Sequence, residues 1–201
     1  DYKGIMSYNS TAWTTDGNTL TIEGATTLYA HFGIGATEQA TNFVANTHYA
    51  LDYNGQQSTT AALEDDMTFG TGTDPATSFT LSNTTGQNAY QLTTKLWYLP
   101  DNVYIDEVYS LEGDTGTDTY TTRMHLMSYD FTSESSSVLT NGTLLAHNDD
   151  VTNEGNDKIY LSNWTVDSTS VSSGKVILAF FEQPHADPEY SATVKVKYHL
   201  V

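Results

Sequence analysis

The stretch Thr93–Gly113 reads TTKLWYLPDNVYIDEVYSLEG. It holds two runs rich in aromatic and β-branched residues, Lys95–Leu99 and Val103–Leu111, joined by Pro100-Asp101-Asn102. Such residues suit a half-buried pleated surface. Proline presets φ, and Asp and Asn accept tight turns, so the joint predicts a turn between two strands at one end of a sandwich. Leu96, Tyr98, Val103 and Ile105 are expected in the core. Both faces of the first run are apolar, so the face of Trp97 and Leu99 remains an alternative. A strand apolar on both faces is central in a sheet or lies at a subunit contact.

Downstream, the strand signals are regular. Tyr90–Leu99, Val103–Leu111, Thr121–Phe131, Val138–His147, Lys158–Val166, Lys175–Phe181 and Ser191–Val201 read as strands separated by turns or loops. Asn141-Gly142 adds a turn dipeptide within the fourth. In the last, Ala192, Val194, Val196, Tyr198 and Leu200 alternate with Thr193, Lys195, Lys197 and His199. That period of two predicts one face on a core and one facing water or a partner. Upstream, the signals are short. Thr26–Phe32 suits a strand, Thr37–Tyr53 mixes helical and strand character, and residues 56–78 read as a long polar loop or exposed arm. Loops of that length inside a compact domain usually pack on a partner or carry function. The expected class is therefore all-β, an antiparallel β-sandwich with jelly-roll spacing over residues 90–201. Residues 1–89 are expected to form an irregular, loop-rich docking region with short strands. No helical stretches alternate with the strands, which excludes a parallel α/β fold.

Composition narrows the function. The 201 residues carry a net charge of −18, with seven Lys and Arg against 25 Asp and Glu. Nucleic acid is an unsuitable partner, because phosphate neutralisation needs clustered cations. An anionic membrane surface is unsuitable for the same reason, and no apolar run is long enough for a membrane helix. Thr and Ser make up about a quarter of the chain and Tyr outnumbers Phe 14 to 7, which favours pleated sheet over helix. There are no cysteines, so disulfides, thiolate catalysis and Cys-zinc sites are excluded. The sequence opens at Asp1 rather than Met, as a processed chain or a part of a longer one would.

Chemistry-bearing motifs are sparse. The six histidines, His31, His48, His125, His147, His185 and His199, show no HxH or HxxxH spacing, and are expected at exposed or interface positions. Asp149, Asp150, Asn153 and Asp157 lie in DDVTNEGND, the densest oxygen cluster. They are candidate Ca²⁺ ligands beside the plainer reading of a solvated acidic loop, since hard cations take six to eight oxygens. Glu64-Asp65-Asp66 is a second such cluster. GxSxG, P-loop and GxGxxG motifs are absent, and no carboxylate pair sits in an apolar context, so no enzymatic activity is expected. Of the three tryptophans, Trp97 and Trp164 fall in strands and read as core or interface. Trp13 lies in a Thr-rich region and is the candidate exposed contact, for example to a sugar.

LWYLPDNVYIDEVYSLEG (residues 96–113) resembles a strand pair of the jelly-roll virion proteins of tailed bacteriophages. KIYLSNWTV (158–166), VSSGKVILAFFEQ (171–183) and SATVKVKYHL (191–200) are similar to the closing strands of the same domain. The resemblance covers residues 90–201. It implies a virion location and a structural role as head decoration, fibre or tail appendage. It also implies homo-oligomers, often trimers, that contact major capsid or tail proteins, and it carries no catalytic residues. The alternative is a carbohydrate-binding sandwich that recognises a host-surface glycan through Trp13, with Ca²⁺ near Asp149–Asp157.

Overall fold

The computed structural model describes residues 13–15, 18–20, 26–34, 44–54, 68–81, 89–114, 120–131, 137–148, 151–153, 158–183 and 190–201. The elements in chain order are β1 (Trp13–Thr15), β2 (Asn18–Leu20), β3 (Leu28–Ile34), β4 (Thr47–Ala50), β5 (Asp52–Tyr53) and β6 (Phe79–Thr80). The helical turn α1 (Ala89–Leu92) follows, then β7 (Trp97–Tyr98), β8 (Val103–Asp114), β9 (Tyr120–Asp130), β10 (Val138–His147) and β11 (Val151–Asn153). The chain closes with β12 (Lys158–Asn163), β13 (Thr165–Val166), β14 (Ser170–Val171), β15 (Lys175–Gln183) and β16 (Tyr190–Leu200).

Eight of these strands form a folded ribbon: β3, β4, β8, β9, β10, β12, β15 and β16. The first pairs with the last, β3 with β16. The second pairs with the seventh, β4 with β15. The third and sixth pair as β8 with β12, and the fourth and fifth as β9 with β10. All four pairs are antiparallel. Wrapping the ribbon joins β16 to β8 and β15 to β9, which yields two sheets. Sheet one runs β12-β8-β16-β3-β5 and sheet two β13-β10-β9-β15-β4. That connectivity is a jelly roll.

Period-two alternation builds the core between the sheets. Phe32, Ile105, Val194 and Val196 of sheet one pack on Met124, Leu126, Ile177, Ala179 and Phe181 of sheet two. Each large apolar side chain so buried contributes roughly 1.5–3 kcal/mol. Sheet two carries a second core on its outer face. There Val176, Leu178 and Phe180 of β15, with Met127 and Tyr129 of β9, lie under Phe69, Phe79 and Leu92. This explains KVILAFF: its odd positions from Ile177 enter one core and its even positions the other.

Several expectations change. The sandwich starts before residue 90, because β3 and β4 supply a strand to each sheet. Tyr90–Leu99 is not one strand, and only β7 within it is extended and paired. It opens with α1, and Thr93 N–H to Ala89 O and Lys95 N–H to Leu92 O close the turn. The two runs flanking Pro100-Asp101-Asn102 are not a hairpin. Trp97 pairs with Ile177 in sheet two while β8 belongs to sheet one, so the turn crosses between sheets at an end of the sandwich. Trp97 and Leu99 take the core face, and Tyr98 is exposed. Asn141-Gly142 is a bulge inside β10 rather than a turn. Lys158–Val166 splits at Trp164. β12 stays in sheet one, β13 joins β10 in sheet two, and Trp164 buries at the crossing, with its Nε1–H donating to Ser110 Oγ at 3.0 Å. The part of the polar arm that is described, from Thr68, packs on the chain's own sheet two instead of projecting.

Candidate functional site

The outer faces of the two sheets differ. Sheet two is closed by residues 68–81, whose backbone docks on β4: His48 N–H donates to Gly70 O at 3.0 Å and Phe69 N–H to His48 O at 2.9 Å. Beneath this cover lies a polar cluster that no sequence spacing reveals. The register sets His48, Glu182 and Arg123 in one row across β4, β15 and β9. His125 stands one row along, its ring centroid 4.9 Å from that of His48. His48 Nδ1–H donates to Gly70 O at 3.1 Å, and Nε2 lies 3.5 Å from Glu182 Oε2. Arg123 Nη1 is 3.9 Å from the same oxygen, and Asp74 of the cover is 3.7 Å from His125 Nε2. Burial holds the His48 pKa below the ordinary imidazole value; Gly70 O and Asp74 oppose this, and Arg123 adds to it. Both imidazoles are sealed from solvent, so the cluster fastens the cover rather than meeting a substrate. Among the described residues no group of three or more His, Asp or Glu is arranged to hold a metal ion.

Sheet one is different. No described segment covers its outer face, and this face with its free edge is the candidate site. Outward positions follow from the inward ones: Ala30, Phe32, Val194 and Val196 are buried, so Tyr29, His31, Lys195 and Lys197 face out. On β8 the outward residues include Tyr109 and Leu111, and on β12 Ile159 and Leu161. Eight large hydrophobics are exposed among the described residues, and four are here: Ile159 at 80%, Leu161 at 64%, Tyr29 at 51% and Leu111 at 44%. Leu161 lies directly opposite Leu111 in the register, which makes the aliphatic part contiguous. Lys195 Nζ sits 6.0 Å from the Tyr109 ring centroid, and Lys197 Nζ lies 3.5 Å from Glu107. His199 Nδ1 is 3.0 Å from Asp106 Oδ1. Elsewhere, described cations are tied to carboxylates of the same chain: Lys95 to Asp52 and Lys175 to Asp130. The outer face of sheet one thus carries contiguous exposed aliphatic residues beside Lys195 and Lys197 on an acidic chain.

The sequence-predicted site residues fare unevenly. Trp13 has its backbone in β1 and Asn153 in β11, while their side chains lie outside the described residues, as do Asp149, Asp150 and Asp157. His185 and Glu64-Asp65-Asp66 also lie outside them. Trp97 and Trp164 are core residues. His48 and His125 are buried rather than exposed, because β4 and the start of β9 run beneath the cover. The clue was parity: His125, Met127 and Tyr129 share a face.

No family model matches the chain, and no curated protein does. Several solved structures match it, and two of these align along most of it. One, titled Desmodium yellow mottle tymovirus, aligns at 11% identity and a TM-score of 0.25 over 97% of this chain and 95% of that one. The other, an empty head of turnip yellow mosaic virus, aligns at 10% identity and a TM-score of 0.25 over 96% and 89%. The jelly-roll assignment rests on strand order and not on these alignments.

Proposed function

We propose that this chain is a virion structural subunit, of the kind that decorates the head or builds an appendage of a tailed phage, and that it works by protein–protein contact without turnover. The observation that carries this reading is the asymmetry of the sandwich. One outer face is closed by the chain's own cover, while the other leaves an apolar and lysine-bearing surface open beside a free strand edge. Jelly rolls recur in viral shells, and the sequence resemblance to phage virion proteins points the same way. Fold alone does not specify function, so the reading leans on the surface. Its partners are further copies of the chain and the capsid or tail proteins beside it.

The test is a density map of intact particles, with mass spectrometry of their proteins. The chain should appear at fixed stoichiometry, with the outer face of sheet one in contact with a neighbour. Absence of the chain from purified particles would sink the proposal.

A further inference from the structure

We infer that β12 is a self-pairing edge, along which two copies of this chain join antiparallel about a two-fold axis. β12 pairs with β8 in continuous register over all six of its residues, without a bulge. Its other edge has no strand partner among the described residues. The opposite edge of sheet one is the two-residue β5, and sheet two ends in the two-residue β13 and the four-residue β4. β12 is therefore the longest edge strand whose outer side is left without a strand partner among the described residues.

Natural edge strands are usually guarded by proline, bulges or a mid-strand charge. β12 has none of these. Its one charge, Lys158, stands at the first position. The chain carries −18, so two copies repel over most approaches, but β12 brings no carboxylate to the contact. The pleat then fixes the register. Directly opposed residues of an antiparallel pair share a face, which leaves few two-fold alignments. One of them sets Tyr160 against Tyr160 of the second copy. Ile159 then meets Leu161 of that copy, Leu161 meets its Ile159, and Ser162 meets its Lys158. In this alignment no like charges oppose, and the exposed aliphatic residues of both copies merge into one surface with Leu111. A second copy is thus the occupant whose pattern matches the strand.

The pairing extends the assembly role proposed above, but its test uses purified chain, so it can fail without touching the virion reading and the reverse. Sedimentation across a concentration series should show a reversible dimer. Leu161→Lys, which installs the missing guard, should abolish the dimer while leaving the thermal midpoint of the dilute, monomeric chain unchanged. The chain has no cysteine, so single cysteines report the register. Opposed Cα atoms lie about 4.5–5.5 Å apart, within disulfide reach. Oxidised Tyr160→Cys should give a covalent dimer. Ser162→Cys, about 13 Å from its counterpart, should not. A wild-type chain that stays monomeric, one that forms trimers, or Leu161→Lys that associates like wild type would each overturn the inference. So would cross-linking of Ser162→Cys but not Tyr160→Cys.

Discussion

Lys95 Nζ lies 2.8 Å from Asp52 Oδ1, with both side chains buried and their positions 43 apart in sequence. The pair ties the turn after α1 to the strand pair β3–β5, and Thr94 Oγ1 reaches the same carboxylate oxygen at 3.5 Å. Removing one partner of a buried ion pair strands the other charge. Lys95→Met is expected to cost about 3–5 kcal/mol in urea unfolding. Replacing both, as Asp52→Leu with Lys95→Met, should recover much of that loss. A double-variant cost equal to the sum of the two single costs would show that the pair is not coupled.

Gly142 sits where β10 bulges against the cover. A Cβ there would stand 2.7 Å from Tyr129 Cε1 and 2.8 Å from Thr77 Cα, and Gly142 N–H donates to Thr77 O at 2.8 Å. The backbone on one side and a buried ring on the other leave little room to yield. Gly142→Ala is expected to lose about 1–3 kcal/mol by overpacking. Hydrogen exchange should quicken at Gly142 and Leu81, whose amides donate to Thr77 O and Ser137 O.

Tyr129 is fully buried, and its hydroxyl donates to Ala76 O at 2.9 Å. Burial pushes its phenol far above the ordinary range. The folded state therefore holds this proton more tightly than the unfolded state does. Its contribution is intact below about pH 10 and is lost as pH rises beyond it. In an alkaline absorbance titration, at least one tyrosine fewer should ionise before unfolding in wild type than in the unfolded chain, since Tyr53 and Tyr198 are also raised by burial. Tyr129→Phe should destabilise by about 1–2 kcal/mol through the orphaned carbonyl.

The fold was largely legible from period two. β8, β9, β15 and β16 fall where alternation or dense β-branched residues placed them. The errors share a cause: local signals do not say which sheet a strand joins. Pro100-Asp101-Asn102 reads as a turn at a sandwich end, which it is, but nothing local shows that the neighbouring strands belong to different sheets. Asn141 does take a left-handed φ of 53°, as its turn signal suggested, but pairing with β9 resumes at Thr143, so the dipeptide bulges β10 instead of reversing it. The open face of sheet one was half visible in Lys195 and Lys197 opposite Val194 and Val196. Its aliphatic edge was not, because the strand signal of Lys158–Val166 does not say which face turns outward, and only the register with β8 places Ile159 and Leu161 there. The His48 cluster as a whole could not be read, since residues 48, 123, 125 and 182 meet through strand pairing and residue 74 through the cover.

That cluster gives the pH dependence. His48 binds a proton less readily in the folded chain than in the unfolded one, chiefly because it is buried. Between its depressed value and about 6.5 the unfolded state holds more protons, so stability rises with pH across that window. His48's contribution is complete above about 6.5 and fades as pH falls below it. The charged groups facing it are Glu182 and Arg123 on the neighbouring strands, His125 beside it and Asp74 on the cover. The thermal midpoint should fall on acidification from about pH 7.5 to 5. Exchange at Phe69 N–H and His48 N–H should quicken first, because these amides pair the cover with β4. His48→Gln keeps a donor for Gly70 O but cannot titrate, so it should flatten the slope over this range. A wild-type midpoint that does not change, or the same slope in His48→Gln, would show that His48 does not couple the cover to pH.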